Sequence, residues 1–234
     1  MLTKEAFKAL LKTLEEPPTH VIFILATTEE EKLLDTILSR CQVFRMRSPS
    51  RSVLASVVTD VAKKEGFTLN PEAADLIAIA ADGSFRDALG VTQKVIMASG
   101  DKIGEVDEVA AIIGAPKSAT VREIVGALHE KNAETALTAI RAAVAAQVEM
   151  KLFARVLLDH MRAVMLVRNL PAKREEILAA FAEEAATQIA ELAAQETPIN
   201  SHMLLRFLEA VDQVGRSPIP QLPIEIAVVD VCNK

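Results

Sequence analysis

The chain contains no tryptophan and no tyrosine, and eight phenylalanines are its whole aromatic complement. A platform on which single-stranded bases stack is therefore excluded as a main mode of binding. Glycine is scarce too, and none of the eight sits in the pattern Gly-x-x-x-x-Gly-Lys-Ser/Thr that cradles phosphates with backbone N–H groups. Nor does an apolar strand end in an Asp-Glu pair that could hold magnesium; Val106-Asp107-Glu108 comes nearest, in surroundings that read as helix. The two cysteines, Cys41 and Cys232, are too few and too distant for a disulfide framework and lack a second cysteine at metal-ligand spacing, so both read as small buried hydrophobes. His20, His129, His160 and His202 are scattered without a zinc pattern, and no metal site is predicted. No apolar run approaches the roughly 18 residues of a membrane span, and the first segment lacks the apolar core and cleavage site of a signal peptide. The chain reads as soluble, cytoplasmic and without a membrane partner.

A formal net charge of −6 argues against a broad basic coat for nucleic acid, so any DNA contact must be local. What is present is apolar bulk. Half of the 234 residues are hydrophobic, enough for a sizeable core, and richness in alanine and leucine points to helix almost throughout.

Between Lys4 and Leu14 the apolar residues Ala6, Phe7, Leu10, Leu11 and Leu14 fall on one helical face, and Glu15-Glu16-Pro17-Pro18 stops that helix. Val21 to Ala26 (VIFILA) has the continuous β-branched and aromatic character of a strand buried on both faces of a parallel sheet. Gln42 to Arg45 offers one more short strand, so the rest of such a sheet is expected from upstream residues. After Pro49 the pattern changes to short amphipathic helices at Arg51 to Glu65, Pro71 to Ala81, Ser84 to Ala98 and Val106 to Ile113. Asn70 reads as an N-cap followed by a proline at the first helical position. Gly66, Gly83, Gly100 and Gly114 punctuate these helices, and a boundary is expected near Ala115-Pro116. Longer helices follow at Ala119 to Glu130, Ala133 to Gln147, Met150 to Asn169, Lys173 to Ala194 and Ser201 to Gly215. A proline-rich stretch from Ser217 to Glu225 leads into a last apolar helix ending at Cys232; by itself that stretch could also be a stiff linker. The fold class expected is mostly α.

The stretch MLTKEAFKALLKTLEEPPTHVIFILATTEEEKLLDTILSRCQVF closely resembles the AAA+ module of bacterial clamp loaders, specifically the gamma/tau subunits of DNA polymerase III. That resemblance implies three parts: 1–48 as the remainder of an AAA+ α/β subdomain, 49–115 as its helical lid and 116–234 as an all-α oligomerisation collar. Arg40, in TILSRC, then corresponds to an arginine finger that reaches the nucleotide of a neighbouring subunit; arginine suits the task because it is always charged and forks onto phosphate oxygens. Thr27 and Thr28 correspond to the sensor 1 position, the alternative being that they cap the next helix. Arg86, in Gly83-Ser84-Phe85-Arg86-Asp87-Ala88-Leu89, matches a sensor 2 signature whose arginine reads the chain's own nucleotide; pairing with Asp87 is the alternative. Lys4, Lys8 and Lys12 lie along one face of the first helix, and Lys12 matches a lysine that touches the DNA backbone, a contact blind to sequence. Arg45, Arg47 and Arg51 read as a hinge between subdomains.

The resemblance implies ATP and Mg as cofactors of the complete module. Its implied partners are gamma/tau, delta and delta-prime subunits in a heteropentamer, a sliding clamp and primed DNA. Loading of that clamp during replication is the implied activity. Without a phosphate loop the chain alone is expected to bind no nucleotide, to turn over no ATP and to be poorly soluble through an unpaired strand edge. It is expected to be truncated at its N-terminal side. A non-catalytic scaffold like delta-prime, or an inactive fragment, is the competing reading.

Overall fold

A computed structural model describes residues 4–99 and 103–233. It is mostly α: among the described residues there are thirteen α-helices, and the only strands are two of two residues each. The chain divides into two compact units, Met1–Arg47 and Ser48–Lys234.

The first unit holds α1 (Lys4–Glu15), a 3-10 turn (Glu30–Lys32) and the four-residue α2 (Asp35–Leu38). Leu10, Leu11 and Leu14 on α1 are half-buried, whereas Lys12 is exposed. The expected strand at Val21 to Ala26 does not form, and neither does the one at Gln42 to Arg45. Among the described residues no neighbouring strand supplies the ladder bonds that define a strand. The apolar run therefore stays open, with Ile22 at 88% and Ile24 at 87% exposure.

In the second unit, α3 (Arg51–Lys64), α4 (Pro71–Ala80), α5 (Phe85–Ala98) and α6 (Val106–Ile113) follow the expected spans within a residue or so. Their caps explain the agreement: Ser50, Asn70 and Ser84 each accept a hydrogen bond from a first-turn N–H, and Pro71 opens α4. Between the helices, β1 (Thr68–Leu69) and β2 (Ile103–Gly104) form a short parallel pair that periodicity does not announce. Leu54, Val58, Ala62, Phe67, Ala73, Ile77, Ala88, Val95 and Val109 make a common core.

The remaining helices are α7 (Ser118–His129), α8 (Ala133–Ala145), α9 (Met150–Asn169), α10 (Arg174–Leu178), α11 (Glu183–Ala194), α12 (Ser201–Val214) and α13 (Leu222–Cys232). Of these, α9 is central: Leu152, Phe153, Val156, Leu157, His160, Met161, Val164 and Val167 are buried around most of its circumference. The expected single helix from Lys173 to Ala194 is broken into α10 and α11, because the chain turns at Ala179–Ala182 and Phe181 sets its ring edge-on to His160 at 4.9 Å. Leu76 of α4 joins this second core while Ile77 packs in the first, so α4 ties the two helical blocks together. Cys41 and Cys232 are free and partly exposed rather than buried. Cys232 is the last residue of α13 and Cys41 lies three residues past the end of α2. No helix among the described residues is long and apolar enough to cross a membrane.

Candidate functional site

Arg40 follows the last turn of α2, one residue past its C-cap Ser39. Its Nε donates to Glu15 Oε1 at 3.0 Å, its Nη2 reaches the same oxygen, and Nη1 donates to the Thr36 carbonyl at 2.9 Å and to Ser39 Oγ at 3.2 Å. The side chain keeps 34% exposure and that of Glu15 keeps 48%. Local bonds from Nη1 thus orient the guanidinium, and its outer fork ends on a solvent-facing carboxylate. A phosphate, though tetrahedral, also presents anionic oxygens to such a fork of N–H donors.

Thr27 Oγ1 accepts from the Glu29 N–H at 3.0 Å, a local turn bond ahead of Glu30–Lys32, whose N-cap is Glu29 and carries no side-chain cap bond. Thr28 is exposed. Lys12 is exposed on α1, while the side chains of Lys4 and Lys8 lie outside the described residues. Arg45 pairs with Glu30, whose carboxyl is lowered by that hydrogen bond.

In the second unit, Arg86 occupies the second position of α5. It is exposed and makes no hydrogen bond or ion pair among the described residues, so the pairing with Asp87 does not occur. Asp87 instead sits in the first turn, where its N–H donates to Ser84 Oγ at 3.2 Å and its charge complements the helix N-terminus. Arg86 is available to an anion. Among the described residues no group of three or more His, Cys, Asp or Glu side chains converges as a metal site. No residue is assigned to magnesium.

A charged cluster that sequence reasoning missed lies between α3, α4 and α9. Arg51 donates through Nε and Nη2 to Asp75 and through Nη1 to Asp159. Its guanidinium carbon stands 5.9 Å from the centre of the Phe181 ring. Burial works against the charge of Arg51, but its bonds to Asp75 and the nearby Asp159 more than offset this and raise its pKa. Two carboxylates share one cation here; burial, reinforced by Asp159 and opposed by Arg51, raises Asp75 above the usual carboxylate range. One turn earlier on α9, Arg155 pairs with Asp82. The signal available in the sequence was the opposite charge of Arg155 and Asp159, four apart, with Asp159 the only acidic residue of the helix.

His160, beside Asp159, donates from Nδ1 to the Val156 carbonyl at 2.9 Å; since a carbonyl only accepts, the proton resides on Nδ1. Burial lowers its pKa, helped by Arg51 and Arg122 and opposed by the Val156 carbonyl and Asp159. The unfolded chain therefore takes up the imidazole proton first, near pH 6.5, and stability falls as pH drops below that value until the folded pKa is reached. We expect His160→Gln to flatten this acid-side slope, measured as Tm between pH 7.5 and 5; an unchanged slope would show that His160 does not cause it.

Residues 105–234 match the family described as DNA polymerase III subunits gamma and tau domain III, residues 54–101 match the DNA polymerase III clamp loader subunit ATPase lid domain, and residues 1–50 match DNA polymerase III, delta subunit. DNA polymerase III subunit tau of Escherichia coli is 34% identical over 223 residues, covering 95% of this chain and 33% of that protein. The tau subunit of Bacillus subtilis is 30% identical over 237 residues, covering 100% of this chain and 41% of its own length. The chain thus spans between a third and two fifths of these curated relatives. Among solved structures, the DNA clamp loader delta protein of Bacillus subtilis aligns with a TM-score of 0.41 and 13% identity, covering 100% of this chain and 74% of that one. With more than half of its length matching domain III and its lid and tau relatives agreeing along the chain, this protein belongs to the family of DNA polymerase III subunits gamma and tau.

Proposed function

We infer that the chain acts as part of a clamp-loader ring, with Arg40 serving the ATP site of a neighbouring subunit; Arg86 takes the sensor 2 role, toward the chain's own nucleotide, in the complete module that carries a phosphate loop. The observation that carries this reading is the Arg40 guanidinium, oriented by Thr36 and Ser39 and closed only by the exposed carboxylate of Glu15. In this reading 49–115 is the lid, 116–234 is the collar, and Lys12 touches the DNA backbone. ATP with Mg is the cofactor of the assembled ring, gamma/tau, delta and delta-prime subunits are the partners, and a sliding clamp on primed DNA is what the ring loads. The nucleotide supplies a γ-phosphate whose charge grows during transfer; this chain's part is to hold cations against it.

A second reading, a delta-prime-like scaffold, draws on the match of residues 1–50 to a delta-subunit description. The free Arg86 in a complete Gly-Ser-Phe-Arg-Asp-Ala-Leu segment favours the first, because a scaffold without nucleotide has no use for it. The test mixes the chain with a complete gamma/tau subunit, delta and delta-prime, then follows assembly by size-exclusion chromatography and ATP hydrolysis with clamp and primed DNA. We expect the chain to enter the ring and to support turnover by its neighbour. Entry with no dependence on Arg86 would favour the scaffold; no entry at all would reject both.

A further inference from the structure

Helix α9 meets the block formed by α3 to α6 through two ion pairs one turn apart. Arg155 pairs with Asp82, in the turn between α4 and α5, and Asp159 accepts from Arg51, the first residue of α3. The order of sign is reversed across the contact: cation then anion on α9, anion then cation on the block. Sliding α9 by one turn would set one of its charges against a group of its own sign, so only one seating satisfies both pairs. The Arg51–Asp159 pair, at 29% and 19% exposure, is largely shielded from water, whereas in the Arg155–Asp82 pair Asp82 is 63% exposed and its side of the bond is screened.

The turn that Arg155 grips is conformationally unusual. Asp82 has φ 51 and Gly83 φ 78, two successive left-handed residues, after which Ser84 caps α5. Aspartate is among the few side-chain-bearing residues that tolerate this region, and its carboxylate is engaged here by α9. Four residues beyond Asp82 stands Arg86, in the first turn of the helix this turn aims.

We propose that Arg155 and Asp159 make α9 the positioning element for Arg86, so that the seating of the lid, and with it the direction of the first turn of α5, is set from the collar. This rests on the reading of Arg86 as the residue that contacts nucleotide. Tilting of the lid and displacement of α9 are then one motion, and a change at the collar reaches Arg86 without passing through the first unit.

The test uses the full chain with Asp82→Asn, which keeps tolerance of the left-handed turn while removing the charge, Arg155→Gln, and the two combined. Hydrogen exchange is read at the amides of Asp87 to Leu89, with those of α12 as internal reference. Each single change is expected to speed exchange at the start of α5 by about three- to fivefold, near the ceiling for a partly exposed ion pair. The double variant should exchange no faster than either single, because both remove the same bond, and Arg155→Lys should recover part of the protection. Unchanged rates, additive effects, or an equal rise throughout α12 would overturn the proposal. Arg86→Ala separates the two readings. It should leave exchange as it is and, with these residues joined to a phosphate-loop module, weaken nucleotide binding by that subunit; if binding is unaffected, the sensor reading fails while the seating of α5 by α9 stands on the exchange data.

Discussion

In a reconstituted ring, Arg40→Ala in this chain is expected to slow hydrolysis at the site it faces by about 10³-fold, the lower end of what withdrawing an arginine finger costs. The size follows from what is lost: a fork of N–H donors whose charge meets the γ-phosphate only as transfer proceeds. Arg40→Lys should fail nearly as badly, since a point charge on a flexible stem cannot grip two oxygens in one plane. Folding should be nearly indifferent. The pair with Glu15 is largely solvated, so Tm should move by no more than about 2 °C. Glu15→Ala is the informative companion. It removes the carboxylate that occupies the fork but leaves the bonds to Thr36 and Ser39, so hydrolysis should persist. Single-turnover hydrolysis with the variant at one ring position measures this directly. A rate within about twofold of native for Arg40→Ala would sink the finger assignment.

Arg40 could be singled out as a candidate because its neighbourhood in the chain is distinctive, whereas its ion-pair partner could not, since Glu15 lies 25 residues away. The same divide runs through the fold. The helix starts at Ser50, Asn70 and Ser84 could be read because a cap is a local event, a side-chain oxygen meeting an N–H two or three residues on. The break between α10 and α11 could not. Ala179, Ala180 and Ala182 are good helix formers, and what interrupts them is the seat that Phe181 finds beside His160 and Arg51, a tertiary effect. Val21 to Ala26 shows the converse failure: its composition suits a strand, but a strand exists only through its neighbours, and the run stays irregular. The cluster of Arg51, Asp75 and Asp159 joins residues 24 and 108 positions apart, beyond the reach of any periodicity.

That cluster carries the second large effect. Arg51→Ala leaves two mostly buried carboxylates facing one another without their cation, a loss of about 3 kcal/mol, the lower end for breaking a buried pair because Arg51 retains some solvent. For a unit of this size the Tm should fall by roughly 6 to 12 °C. Removing all three charges, with Arg51→Met, Asp75→Leu and Asp159→Leu together, should recover most of that, since well-packed apolar groups replace a buried ion cluster at little net cost. The effect also has a pH signature. The charge of Arg51 is one of the influences holding His160 neutral, after burial itself, so without it the imidazole takes up a proton more readily and supplies part of the missing positive charge. The penalty of Arg51→Ala should therefore be smaller at pH 5 than at pH 8, and adding His160→Gln should abolish much of that difference. Thermal unfolding of the four proteins at the two pH values decides it. Should the triple variant prove as unstable as Arg51→Ala, the cost lies in lost packing against Phe181 rather than in unpaired charge, and the electrostatic account of this junction is wrong.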